Sequence, residues 1–158
     1  MTAIAVTEAW AEAPLRAFVD DARVQLALLL HPSGQVLGQH GFARRIDVMS
    51  ACALAAATNA SSGELGRMLE GKPFRGLHYA GKEKQIFLGQ ADTPRGPYLL
   101  LTVFDQTASL GLVQLYFGEF RARLKDAAPA ADGGDAAPLK EHFEGELNKN
   151  LAALFGRA

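Results

Sequence analysis

Apolar positions along this chain change period several times, and each change marks an element. The run Leu99-Leu100-Leu101-Thr102-Val103-Phe104 is apolar without a break and stops at Asp105. Such a run, with β-branched and aromatic residues in it, predicts a strand buried on both faces. Asp105, Thr107 and Ser109 then offer the short polar side chains that start helices. Leu110, Val113, Phe117, Phe120, Arg121 and Leu124 keep a 3.6-residue period, which predicts a closing helix over about 109–126. A central strand therefore feeds directly into a helix that folds back over the sheet.

The same reading extends to the rest of the chain. Trp10, Leu15, Phe18 and Val19 share a helical face within residues 7–21. Pro14 is awkward in a helix interior, which puts the start near Ala13 and leaves Trp10 on a lead-in. Residues 24–30 and 35–41 read as the strands of a hairpin around the turn His31-Pro32-Ser33-Gly34. Asp47 caps a long Ala-rich helix from about 48 to 70, which ends at Gly71-Lys72-Pro73. Residues 75–81 and 84–91 are two further strands, and Thr93-Pro94-Arg95-Gly96 turns into the apolar run. The five strands are expected to form one mostly antiparallel sheet covered by helices, an α+β domain over 7–126. Residues 127–138 have linker composition, and 139–156 recover helical spacing as an amphipathic C-terminal helix.

At 158 residues and 49% apolar, one ordinary domain with a real core is expected. A net charge of −1 gives no electrostatic footprint for nucleic acid or an anionic membrane. No apolar segment reaches the roughly 18–20 residues that span a bilayer. The start lacks a basic region followed by an apolar one, so no secretory leader is expected. The single cysteine, Cys52, fits a reducing cytoplasm and reads as a small buried hydrophobe.

Candidate chemistry is sparse. His31, His40, His78 and His142 have no ligand spacing, so no metal is expected. Phosphate-loop, dinucleotide and nucleophile-elbow patterns are absent, and no cofactor or catalytic residue is assigned. Asp47, Glu64, Asp92 and Asp105 are explicable as caps or turns. Arg44-Arg45 could hook an anion, though solvated loop charge is the plainer reading.

The long helix is more telling. Leu54, Ala57, Thr58, Ser61, Leu65, Met68 and Leu69 fall along one stripe; Ala53, Ala56, Ala60, Gly63, Glu64 and Arg67 fall along the opposite one. The bulky stripe is expected to supply core volume. The small one is then free for close approach of a partner, or it packs internally. In the tail, Phe143, Leu147, Leu151, Leu154 and Phe155 form the apolar face, which either clips a partner or covers its own domain.

Three segments carry a resemblance to a known family: LALLLHPSGQVLGQHG, LAAATNASSGELGRML and LLLTVFDQTASLGLVQL. In that order, over Val24 to Leu124, they resemble the Roadblock dynein light-chain family. The last join, with the linker and tail, resembles its MglB-like branch. The resemblance implies a Roadblock/profilin-like fold with a tethered C-terminal helix and a homodimer with sheets joined edge to edge and long helices side by side. It also implies a cytoplasmic regulator, not itself an enzyme, that activates a small Ras-like GTPase of MglA type in polarity or motility control. Such regulators remodel the GTPase switch region without donating an arginine; the alternative is a scaffold that binds without accelerating hydrolysis. The matching contact positions are Ala56, Thr58, Asn59, Ala60, Gly63, Glu64 and Arg67, with Ala53 on the same stripe. Thr58-Asn59 and Glu64 depart from the branch's Gly-rich pattern.

Overall fold

The computed structural model describes residues 8–130. A 3₁₀ turn, Ala9–Ala11, leads into α1 (Glu12–Ala22), so Pro14 falls in the first turn, where its missing N–H costs nothing. Strands β1 (Leu26–Leu30) and β2 (Val36–Gly41) form the hairpin, followed by α2 (Val48–Glu70). Then come β3 (Gly76–Ala80), β4 (Gln85–Thr93), β5 (Gly96–Phe104) and α3 (Leu110–Ala127). The expected linker beyond Ala130 and the tail, including Phe143, Leu147, Leu151, Leu154 and Phe155, lie outside the described residues.

One antiparallel sheet has the order β2-β1-β5-β4-β3, with Leu28 opposite Leu101 at its centre and Leu88 opposite Leu101 on the other side. The expectation of a doubly buried strand holds for β5, buried from Tyr98 to Phe104, and equally for β1. Two clusters use the alternate side chains. Ala27, Leu29, Leu100 and Phe104 meet α1 and α3, with Phe18 packed on Phe120 and Phe117 edge-on to Phe87. Leu26, Leu28, Leu30, Leu99, Leu101 and Val103 face α2. The molecule is thus three layers: two helices, the sheet, and one long helix.

Both long helices begin as their sequences dictate. Asp47 accepts from the Ser50 backbone N–H at 3.2 Å and from its hydroxyl at 2.8 Å; Ser109 accepts from the Leu112 N–H at 3.1 Å. Gly71 ends α2 in the left-handed region, at φ 77°.

Candidate functional site

The α2 helix sits on the sheet in the opposite sense to the sequence expectation. Its buried residues are Cys52, Ala55, Ala56, Gly63 and Gly66, all small. Its bulky side chains point outward, with Leu54 68%, Leu65 50%, Met68 82% and Leu69 69% exposed. The reading that this stripe supplies core volume is therefore corrected. The reason lies in the strands beneath it. β1 and β5 already present five leucines and a valine to this layer, and they fill the space between sheet and helix. Only a helix with a nearly side-chain-free underside can approach such a surface. Gly66 answers a different neighbour: a Cβ there would lie 2.5 Å from the Phe74 backbone nitrogen and 2.7 Å from the Lys72 carbonyl oxygen, in the connection that turns back from α2 toward β3.

The expected contact residues do not share one face. Ala56 and Gly63 are buried under the helix, Thr58 and Asn59 are half-buried, and Ala53, Ala60, Glu64 and Arg67 are exposed. Glu64 and Arg67 are ion-paired to each other across one turn. Thr58 belongs instead to a groove of about 400 Å³ between α2 and β3, lined also by Leu54, Leu65, Phe74, Leu77 and Tyr79. At 100° per residue the groove side of α2 faces the open edge of β3. The shoulder bearing Ala53, Ala60, Glu64 and Arg67 turns away from it. β3 pairs only with β4, so its outer row of backbone N–H and C=O groups has no strand partner, and Tyr79 beside it is 54% exposed. Phe74 and Leu77 were not singled out from sequence; Leu77 and Tyr79, on one side of β3 next to an apolar helix stripe, were the available signal.

The titratable groups have structural explanations. The Asp47 carboxyl lies below its ordinary range because the Ser50 hydroxyl and N–H donate to it. Asp105 is lowered for the same kind of reason, by the Thr107 hydroxyl and N–H. Burial pushes the Cys52 thiol up to about 11, away from nucleophilic use. Among the described residues no group of three His, Cys, Asp or Glu side chains is placed to hold a metal ion. None of the described helices is long and apolar enough to cross a membrane.

No family model and no curated protein matches the sequence. Solved structures do match, and strongly in shape. MglB of Myxococcus xanthus is 23% identical with a TM-score of 0.68 over 75% of this chain and 94% of that one. An MglB with a tetrameric arrangement is 22% identical, with a TM-score of 0.68 over 81% and 96%. A Roadblock/LC7 domain from Streptomyces avermitilis is 17% identical, with a TM-score of 0.60 over 72% and 93%. The chain has the Roadblock fold. At identities of 17–23% the likeness is one of architecture. Within that Roadblock fold, the long helix and the β3 edge form one continuous, largely apolar exposed surface.

Proposed function

We propose that this chain is a Roadblock-family regulator of MglB type, which acts as a homodimer on a small Ras-like GTPase of MglA type. The observation that carries the reading is the exposed apolar side of α2 beside an unpaired β3. A stripe of four large aliphatic side chains, each at least half exposed, is a surface that water disfavours and a second copy of the same surface satisfies. Shape similarity to MglB, including an MglB of tetrameric arrangement, supports the assignment. On this reading the groove side of α2 and the β3 edge receive the second copy. The shoulder of Ala53, Ala60, Glu64 and Arg67, repeated by the two-fold, receives one GTPase. Buried Ala56 and Gly63 then act indirectly, by letting α2 lie close to the sheet. Arg67, the arginine of this shoulder, is exposed and paired with Glu64 one turn away. On this reading activation works by ordering the GTPase's own catalytic groups, with no arginine donated.

The test is single-turnover GTP hydrolysis by an MglA-type GTPase with and without saturating partner. Acceleration that is lost in Ala60→Arg, with the dimer of that variant intact, is the expected result. Binding without acceleration would leave a scaffold, and full acceleration by Ala60→Arg would place the GTPase on another face.

A further inference from the structure

A second surface lies where the end of β2, the start of β1 and the β3–β4 turn converge. A pocket of about 370 Å³ is lined there by Gln25, Phe42, Ala43, Arg44 and Lys84. Its shape is set by Gly41, at φ +93°, where a Cβ would lie 2.2 Å from the Gln25 carbonyl oxygen. That close approach lets the Phe42 N–H donate to the same oxygen at 2.7 Å and turns the Phe42 ring outward, 58% exposed. Arg45 follows at φ 58°, a conformation that non-glycine residues seldom adopt.

The charge of the pocket is positive. Lys84 donates to the Gln25 side-chain oxygen, and the Gln25 amide donates to Asp105 Oδ2 at 2.8 Å. The other Asp105 oxygen accepts from the Thr107 N–H at 2.9 Å and hydroxyl at 2.7 Å. Asp105 stays ionised, its carboxyl held low by the Thr107 donors and by nearby Lys84. It offsets in part the Arg44 and Lys84 that line the pocket and the Arg45 next in sequence, and the balance is positive. Glu83 and Lys82, in the adjacent turn, offset one another. Arg44 and Arg45 enter no ion pair among the described residues. Three cations beside one exposed aromatic ring suit a segment that alternates carboxylates with apolar side chains.

We propose that this pocket docks the segment 141–147 of the chain's own C-terminal region. Glu141, Glu144 and Glu146 there interleave with Phe143 and Leu147, which complements the pocket's positive balance and its exposed Phe42 ring. The ten residues between Ala130 and Glu141 can span up to about 35 Å, roughly the diameter of a domain of this size. Tethering raises the local concentration to the order of 1 mM, so an intrinsic affinity of about 1 mM, from weak ion pairs together with apolar contact at Phe42, half-populates the contact. This site is separate from the α2 shoulder and does not depend on the GTPase reading. Docking would withhold the tail from any external partner until a stronger competitor engages it.

Amide NMR of the full-length chain tests the proposal, with Glu141→Gln/Glu144→Gln/Glu146→Gln compared with the unaltered protein. The expected result is a shift of the Phe42–Arg45 and Lys84 amides on substitution, reproduced in the unaltered chain at high salt. A reciprocal variant, Arg44→Ala/Lys84→Ala, should move the 141–147 amides to the positions they take at high salt. Arg44 and Lys84 are exposed, and unshifted resonances of Leu28, Leu101 and Phe120 report that the core is intact in both variants. Pocket amides that ignore the triple substitution, or tail amides that ignore the loss of Arg44 and Lys84, overturn the assignment.

Discussion

Leu65→Asp is the sharpest probe of the dimer face. Leu65 is 50% exposed and lines the groove between α2 and β3. Fully burying a leucine side chain is worth about 2 kcal/mol, so the exposed half offers about 1 kcal/mol per copy. A two-fold interface uses the residue twice, which makes the lost burial about 2 kcal/mol. Each aspartate also brings a carboxylate to an apolar groove without a hydrogen-bond partner, at roughly 1 kcal/mol or more. The dimer should weaken by about 4 kcal/mol in all, close to a thousandfold in Kd. Sedimentation velocity over a concentration series reads that change directly. Thermal melting at low concentration separates it from unfolding, because a half-exposed side chain contributes little to the monomer. An unchanged dimer would refute the groove as the interface. A variant that unfolds as a monomer would show instead that Leu65 belongs to the core.

Three other outcomes follow from the packing. Gly89→Ala places a Cβ 2.4 Å from the Phe117 ring, which is wedged between Phe87 and Phe120. The expected loss is about 1–2 kcal/mol by urea denaturation, and Phe117→Leu in the same chain should recover part of it. Thr102 is fully buried with a hydroxyl that finds no partner among the described residues, so Thr102→Val should stabilise by about 1 kcal/mol and raise Tm by about 4 °C. Asp47 and Asp105 have folded pKa values below their unfolded ones. Their contribution is thus present above the unfolded value and lost as pH falls through the folded one. An acid titration of stability should show a shallower loss in Asp47→Asn/Asp105→Asn, and an unchanged acid limb would contradict the turn and cap assignment.

The strands and helices were legible because their signals are local. Asp47, Gly71 and Ser109 mark helix ends through hydrogen bonds made within one turn, and the apolar run at 99–104 has the length and composition of a doubly buried strand. The facing of α2 was not legible in the same way. Leu54, Leu65, Met68 and Leu69 have the hydrophobicity of a core stripe, and their place is settled by volume the strands supply from elsewhere in the chain. Gly66 answers a nearer constraint, since a Cβ there would strike the backbone of Lys72 and Phe74 where the chain turns back after α2. Which side of α2 meets the sheet is a tertiary matter that nothing within the helix alone announces. The pocket at Arg44 likewise depends on Lys84 arriving from a separate turn.

The two margins of the sheet are not equivalent. β2 pairs with β1 through a register shift at Leu29/Leu30, which twists that margin, while β3 runs in regular register with β4. Strand addition is therefore easy at one margin only. Two copies that join there consume each other's growing end, and no regular margin remains to recruit a third. Assembly by this route is self-limiting, so the chain can carry an adhesive edge without the fibre that an equally open pair of edges would seed.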